Sequence, residues 1–239
     1  MKRALVTGGS GGIGAAICKR LAADGHHLIV HANRSLDKAV AVVAEIIAAG
    51  GSAEALAFDV TDRAASAAAL ETLLEGGAIQ ILVNNAGIHA DAVFPGMSGE
   101  QWDSVLDVSL NGFFNVTQPL TMPMIRTRWG RIITISSIAG ITGNRGQVNY
   151  SAAKGALHAA SKSLALELAS RNVTVNAVAP GIIATGMIEG AFDAETIKTL
   201  VPMKRAGKPE EVADLVAFLA SDKAAYISGQ IISINGGMI

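Results

Sequence analysis

Tyr150 and Lys154 stand four residues apart in the run Asn149-Tyr150-Ser151-Ala152-Ala153-Lys154, a spacing that puts both side chains on one face of a helix. A phenol is a poor acid or base at neutral pH, its pKa lying near ~10, but a neighbouring ammonium and the positive nicotinamide ring of an oxidised cofactor would both favour phenolate. The pair can therefore give a proton to an oxygen and tolerate the charge left behind. Ser137 adds an earlier hydroxyl able to orient the same oxygen. This is the chemistry of carbonyl reduction, in which the hydride comes from a cofactor. By itself, Tyr-x-x-x-Lys is common by chance and needs support from the rest of the chain.

That support begins at Thr7-Gly8-Gly9-Ser10-Gly11-Gly12-Ile13-Gly14, which follows an extended apolar run and opens a helical one. Without side chains, backbone N–H groups can approach a pyrophosphate, and the helix N-terminus adds partial positive charge for the anion. Gly8, Ser10, Gly11, Gly12, Ile13 and Gly14 are the candidate contacts. The spacing Gly8-x-x-x-Gly12-x-Gly14 differs from Gly-x-Gly-x-x-Gly and is not the lysine-containing P-loop. Further on, His31-Ala32-Asn33-Arg34-Ser35 offers no acid for a ribose 2′-hydroxyl. Arg34, with Asn33 beside it, can instead pair with a 2′-phosphate, so NADP(H) is the expected cofactor.

Positioning these groups requires strands that end where the chemistry begins. Short β-branched runs near Arg3 to Thr7, Leu28 to Ala32, Ala53 to Phe58, Ile81 to Asn84, Arg131 to Ser136, Val173 to Ala179 and Gln230 to Ile234 alternate with alanine-rich helical stretches. This pattern predicts an α/β fold, a doubly wound parallel sheet of about seven strands with helices on both faces. Ile13, Ile17 and Leu21 give the first helix one apolar stripe, and another helix should start after Asn149 and run to about Ser170. Residues 1–239 read as one domain, with an irregular substrate lid at about 186–207.

Bulk properties narrow the function. Half of the 239 residues are hydrophobic and 16% charged, which suits a sheet buried on both faces. The net charge of −1 offers no general attraction for nucleic acid or an anionic membrane. A single cysteine, Cys18, excludes an intrachain disulfide and two-cysteine metal motifs. No metal site is expected, and neither a signal-peptide core nor a membrane span is visible. A cytoplasmic protein is expected.

In chain order, the glycine turn, Asp59-Val60, Asn84-Asn85-Ala86-Gly87, Ser137, Tyr150 with Lys154, Pro180-Gly181 and Thr185 closely resemble the short-chain dehydrogenase/reductase family over essentially the whole chain. Trp129 to Ile135, Asn172 to Gly181, Ala217 to Asp222 and Asn235 to Met238 look most like bacterial 3-oxoacyl-(acyl-carrier-protein) reductases. The resemblance implies that Asp59 and Val60 contact adenine, that Asn85, Ala86 and Gly87 line the cofactor cleft, and that Pro180, Gly181, Ile183 and Thr185 serve the nicotinamide end. It implies that Lys154 also binds the nicotinamide ribose. It further implies an acyl-carrier protein as partner, with Arg128 and Arg171 as docking residues near the mouth, and a homotetramer. His89 and Gln147 are candidate substrate contacts.

Two positions depart from the family pattern. Ser109-Leu110-Asn111-Gly112 stands where Asn-Leu-x-Gly is usual. The customary asparagine, which in the family supports a water-linked proton relay, is therefore Ser109, while Asn111 should point to the other side of the helix. Either Ser109 carries that relay through its hydroxyl and a water, or the relay is lost. The second departure is Gly11, where many NADPH-using relatives have a basic residue. Two rival functions stay open: reduction or oxidation of another ketone or alcohol, and a non-catalytic protein that binds the cofactor.

Overall fold

A computed structural model describes residues 1–185 and 193–239. Strands β1 (Arg3–Val6), β2 (His27–Ala32), β3 (Ser52–Ala57), β4 (Ile81–Asn84), β5 (Gly130–Ile135), β6 (Val173–Pro180) and β7 (Ile231–Ile234) form one sheet in the order β3-β2-β1-β4-β5-β6-β7. Every pairing is parallel. Each strand lies within a residue or so of its expected place.

Alternate residues feed two cores. Val6, Val30, Val83 and Ile133 pack with Ile17 and Leu21 of α1 (Gly12–Ala23), Val42 and Ile46 of α2 (Leu36–Ala48), and Val212 and Val216 of a late helix at Pro209–Ala220. Leu5, Ile29, Leu82, Ile132 and Val175 face the other way, onto Leu70 of α3 (Arg63–Glu75) and onto helices later in the chain. Burial on both faces is why the strands read as continuous apolar runs. Helix α1 stops as expected at Asp24, before Gly25 with φ +84°.

The central helix is not continuous. After α4 (Gly99–Leu106), residues Asp107–Asn111 form a π turn, and α5 (Gly112–Thr127) follows. Its 3.6-residue pattern carries no signal of that widening, because a π turn inserts one residue without changing residue types. A short α6 (Ala139–Thr142) precedes α7 (Val148–Leu168), which packs on β6 and against α4. Of the expected lid, residues 186–192 lie outside the described residues. The remainder holds α8 (Ala194–Leu200), capped by Asp193, and α9 (Pro209–Ala220) follows the lid. Between them, Gly207 bridges Ile183 in a parallel pair. Among the described residues no helix is long and apolar enough to cross a membrane, and no cluster of three metal-ligating side chains occurs.

Candidate active site

The chemistry-bearing residues gather at the carboxyl edge of the sheet: the glycine turn after β1, Arg34 after β2, Asp59 after β3, Asn85 after β4, Ser137 after β5 and Gly181 after β6. The strand order reverses between β1 and β4, and ligands of open parallel sheets bind at such a switch point.

Helix α7 brings Tyr150 beside Ser137, whose hydroxyl bonds the phenol. Ser137 Oγ also accepts the Ala139 N–H at 3.1 Å. Lys154 is buried one turn further on and donates to the Ile135 carbonyl at 3.0 Å, its Nζ standing 5.5 Å from the Tyr150 ring centroid. Burial pulls the Lys154 ammonium down to about 8. The Tyr150 phenol moves up, chiefly through burial, with Asp91 adding to the rise and the Ser137 bond opposing it. Among the groups that act on it desolvation wins, which favours the phenol, the form a proton donor needs.

Asn149, which sequence reasoning gave no role, fixes the start of this helix. Its Nδ2 donates to the Ala90 and Gln101 carbonyls at 3.0 and 2.8 Å, and its Oδ1 accepts the Tyr150 N–H at 2.8 Å. Ser136 and His158 are a second unanticipated pair, 2.6 Å apart, with Ser136 also donating to the Lys154 carbonyl. An amide immediately before a tyrosine at a helix start was the available signal for the first; nothing local pointed to the second.

The glycine turn is shaped by close approach. A Cβ on Gly14 would stand 2.2 Å from the Gly8 carbonyl oxygen, whereas one on Gly11 would meet nothing within 4 Å. Thr7 Oγ1 accepts the Asn85 and Ala86 N–H groups at 3.0 Å each, and Asn85 Nδ2 donates to the Thr7 and Gly8 carbonyls at 2.9 and 3.0 Å. Thr185 lies over Gly12, and Gly87 lies against the Lys154 ammonium. Gly11 at the α1 N-cap makes no side-chain bond, so the first-turn amides of α1, including those of Gly12, Ile13 and Gly14, are available to an anion. Asn33 and Arg34 are exposed beside this turn, and Arg34 lies near enough to Asp59 to lower its pKa further, after the Thr61 hydrogen bonds. Val60 is buried, its carbonyl held by Asn115 at 2.9 Å. These features fit an extended dinucleotide: a side-chain-free anion cradle, a polar rim at the adenosine end, and Ser137 and Tyr150 at the other end.

Ser109, carried by the π turn, is 3% exposed, and Thr134 of β5 is 0% exposed. Both line one small cavity with Thr7, Asn84 and Leu157. Neither hydroxyl has a partner among the described residues. Asn111 is exposed on the other side and bonds Asp107 at 2.6 Å.

At the mouth, Gln147 Nε2 donates to Asp91 at 2.9 Å, and His89 pairs with the same carboxylate at 3.5 Å. The structure thus joins His89 and Gln147 through Asp91, a residue the sequence reading passed over. Arg128 and Arg171 are not at this mouth. They precede β5 and β6, at the amino edge of the sheet, while Ser137 and Gly181 follow those strands. With about 3.3 Å of rise per strand residue, the two ends are roughly 20 Å apart. Within one chain the arginines and Tyr150 stand on opposite edges.

A family model described as short chain dehydrogenase matches residues 2–196. Similar proteins include the 3-oxoacyl-(acyl-carrier-protein) reductase of Synechocystis sp., 48% identical over 238 residues, covering 99% of this chain and 96% of that protein. The reductase of the same name from Aggregatibacter actinomycetemcomitans is 46% identical over 236 residues, with 98% of each covered. Nodulation protein G of a Rhizobium species is 46% identical over 242 residues, covering 99% and 96%. With the seven-stranded parallel sheet, the glycine turn at its switch point and the Ser137, Tyr150 and Lys154 group, these matches place the chain in the short-chain dehydrogenase family.

Proposed function

We propose that this chain is an NADP-dependent reductase that converts a 3-oxoacyl thioester, carried on acyl-carrier protein, to the 3-hydroxyacyl thioester in fatty-acid or polyene/polyketide-type synthesis. The observation that carries this reading is near-half identity over the whole length to reductases of that name, in a chain that carries Ser137, Tyr150 and Lys154 on the same edge of the sheet as the glycine turn. When bound, the cofactor supplies hydride to the carbonyl carbon. Ser137 orients the carbonyl oxygen and Tyr150 gives it a proton, while the Lys154 ammonium stabilises the phenolate that results.

Several further assignments belong to the same proposal. Arg34 recognises the 2′-phosphate by a charge-assisted bond, and Asp59, Val60, Asn85, Ala86, Gly87, Pro180, Gly181, Ile183 and Thr185 complete the cofactor set. The cavity under Ser109 and Thr134 holds a water, since a buried hydroxyl left unpaired costs about 1–3 kcal/mol. That water would return protons toward Lys154. We read residues 1–239 as one reductase domain working in the cytoplasm as a homotetramer. Arg128 and Arg171 would then meet a carrier protein at the mouth of a neighbouring copy rather than their own.

The test is NADPH oxidation with carrier-linked 3-oxo substrates of graded chain length. Turnover is expected, with kcat/KM higher for NADPH than for NADH, and Tyr150→Phe should abolish it. No turnover on any carrier-linked substrate, or turnover surviving Tyr150→Phe, would sink the proposal.

A further inference from the structure

His31 is the penultimate residue of β2 and is buried, 1% exposed, with both ring nitrogens engaged in hydrogen bonds. Nδ1 accepts the Gly8 N–H at 3.1 Å, so Nδ1 carries no proton. The neutral ring therefore keeps its hydrogen on Nε2, which lies 2.9 Å from the Phe58 carbonyl and donates to it. The same residue's main-chain carbonyl accepts the Gly9 N–H at 2.8 Å, and the ring packs on Phe58 at 4.3 Å between centroids. One residue thus holds both ends of the cofactor cradle: the first two amides of the glycine turn and the segment leading into Asp59.

We propose that His31 is a positioning residue of that cradle, holding the Gly8 turn and the Phe58–Asp59 segment together only while its ring is neutral, so that protonation opens the cradle and weakens dinucleotide binding. A protonated ring presents an N–H on Nδ1 directly to the Gly8 N–H, replacing a bond with a repulsion at the base of the turn. Gly8, at φ +62°, is already in a conformation few residues adopt, and its carbonyl is held by Asn85. The charged groups near the ring are few. Asp59 lies on the segment after β3, with Arg34 beyond it, and the glycine turn from Gly8 to Gly14 contributes none. Burial holds the ring neutral, while the Phe58 carbonyl and Asp59 oppose that more weakly. Acidification below the ordinary histidine range of about 6.5 is then the condition that charges it.

This inference rests on the cofactor reading above. The experiment is direct fluorescence titration of the full chain with NADPH from pH 7.5 to 5.5, comparing wild type with His31→Asn and His31→Gln. Asparagine can keep the acceptor toward Gly8 without a titrating ring, and glutamine can keep the donor toward Phe58 without that acceptor. Because every variant meets the same ligand, titration of the 2′-phosphate near pH ~6 cancels in the comparison. At pH 7.5 both variants are expected to bind more weakly than wild type, His31→Gln by more than about fivefold and by more than His31→Asn. By pH 5.5 the wild-type Kd should rise at least threefold more than that of His31→Asn. Parallel pH curves for wild type and His31→Asn, or equal binding by both variants at pH 7.5, would overturn the inference. Should either variant misfold, imidazole ¹⁵N shifts of the wild type decide: a neutral ring protonated on Nε2 supports the role, and one protonated on Nδ1 refutes it. Failure to bind any nicotinamide dinucleotide at any pH would instead defeat the cofactor reading itself.

Discussion

Around the glycine turn, the side chains of Thr7, His31 and Asn85 each hold two or more backbone groups, whereas the hydroxyls of Ser109, Thr134 and Ser151 on the Tyr150 side are buried with no partner among the described residues. Around the turn the network is closed, while beside Tyr150 it is interrupted: Asn149, Ser136 and Lys154 are bonded and these three hydroxyls are not. A satisfied network in a low-dielectric interior is rigid and intolerant of added atoms. A set of unpaired hydroxyls is suited to water and tolerates removal. The division matches the work each half would do. A cofactor is met by a fixed shape, but a proton must leave and be replaced.

The sharpest way to separate the two halves is Lys154→Met. Reduction should fall by about a hundredfold or more, while Tm rises by a few degrees because a buried ammonium is no longer required. The folded chain holds the Lys154 pKa near 8 rather than 10.5. Between those values the unfolded chain binds the proton that the folded one has released, so wild-type stability rises with pH across that window, and the variant should lose this rise. In the free enzyme, kcat/KM should likewise decline as pH climbs through about 8. A Tm that drops in Lys154→Met would mean that the amine is structural.

Gly14→Ala attacks the satisfied half. A Cβ 2.2 Å from the Gly8 carbonyl must displace α1 or the turn, costing about 1–3 kcal/mol of stability. Cofactor Kd should rise by about tenfold or more, read by fluorescence titration alongside thermal denaturation. Smaller effects are expected on the other side. Ser109→Ala and Thr134→Val should each lower kcat by about two- to tenfold with Tm nearly unchanged, and the double variant should be no worse than the stronger single, as befits one shared water. Wild-type kcat and pH profile in both singles would make the two hydroxyls mere packing. Smallest of all, Gly11→Arg places a side chain in open space on extended backbone. KM for NADPH should fall severalfold, KM for NADH should not move, and stability should change by no more than about 0.5 kcal/mol.

The strands were legible because glycine or polar residues bound each apolar run, and burial on both faces removes the ambiguity of alternation. Tyr150 and Lys154 were legible through helical spacing, and the glycine turn through its neighbours. Besides Asn149, Asp91 and the Ser136–His158 pair, three features escaped for physical reasons. The bond from Gly8 to His31 crosses from one strand end to the next, so no local spacing betrays it. The π turn at Asp107–Asn111 has the residue types of an ordinary helix. Arg128 and Arg171 were assigned by resemblance to a mouth they do not share within one chain, although their position ahead of β5 and β6 already located them at the amino edge. Strand direction in a parallel sheet carries that information, and residue type does not.

The π turn also bears on how this segment can change over time. An α-helix advances about 100° per residue, so one surplus residue between α4 and α5 sets the angular phase of one against the other. Substitution at positions 107 to 111 leaves that phase intact and keeps position 109 over its cavity. Deleting a single residue there would swing Trp102 and Val105 around the axis relative to Val116 and Leu120. The segment should therefore accept changes of residue type far more readily than changes of length.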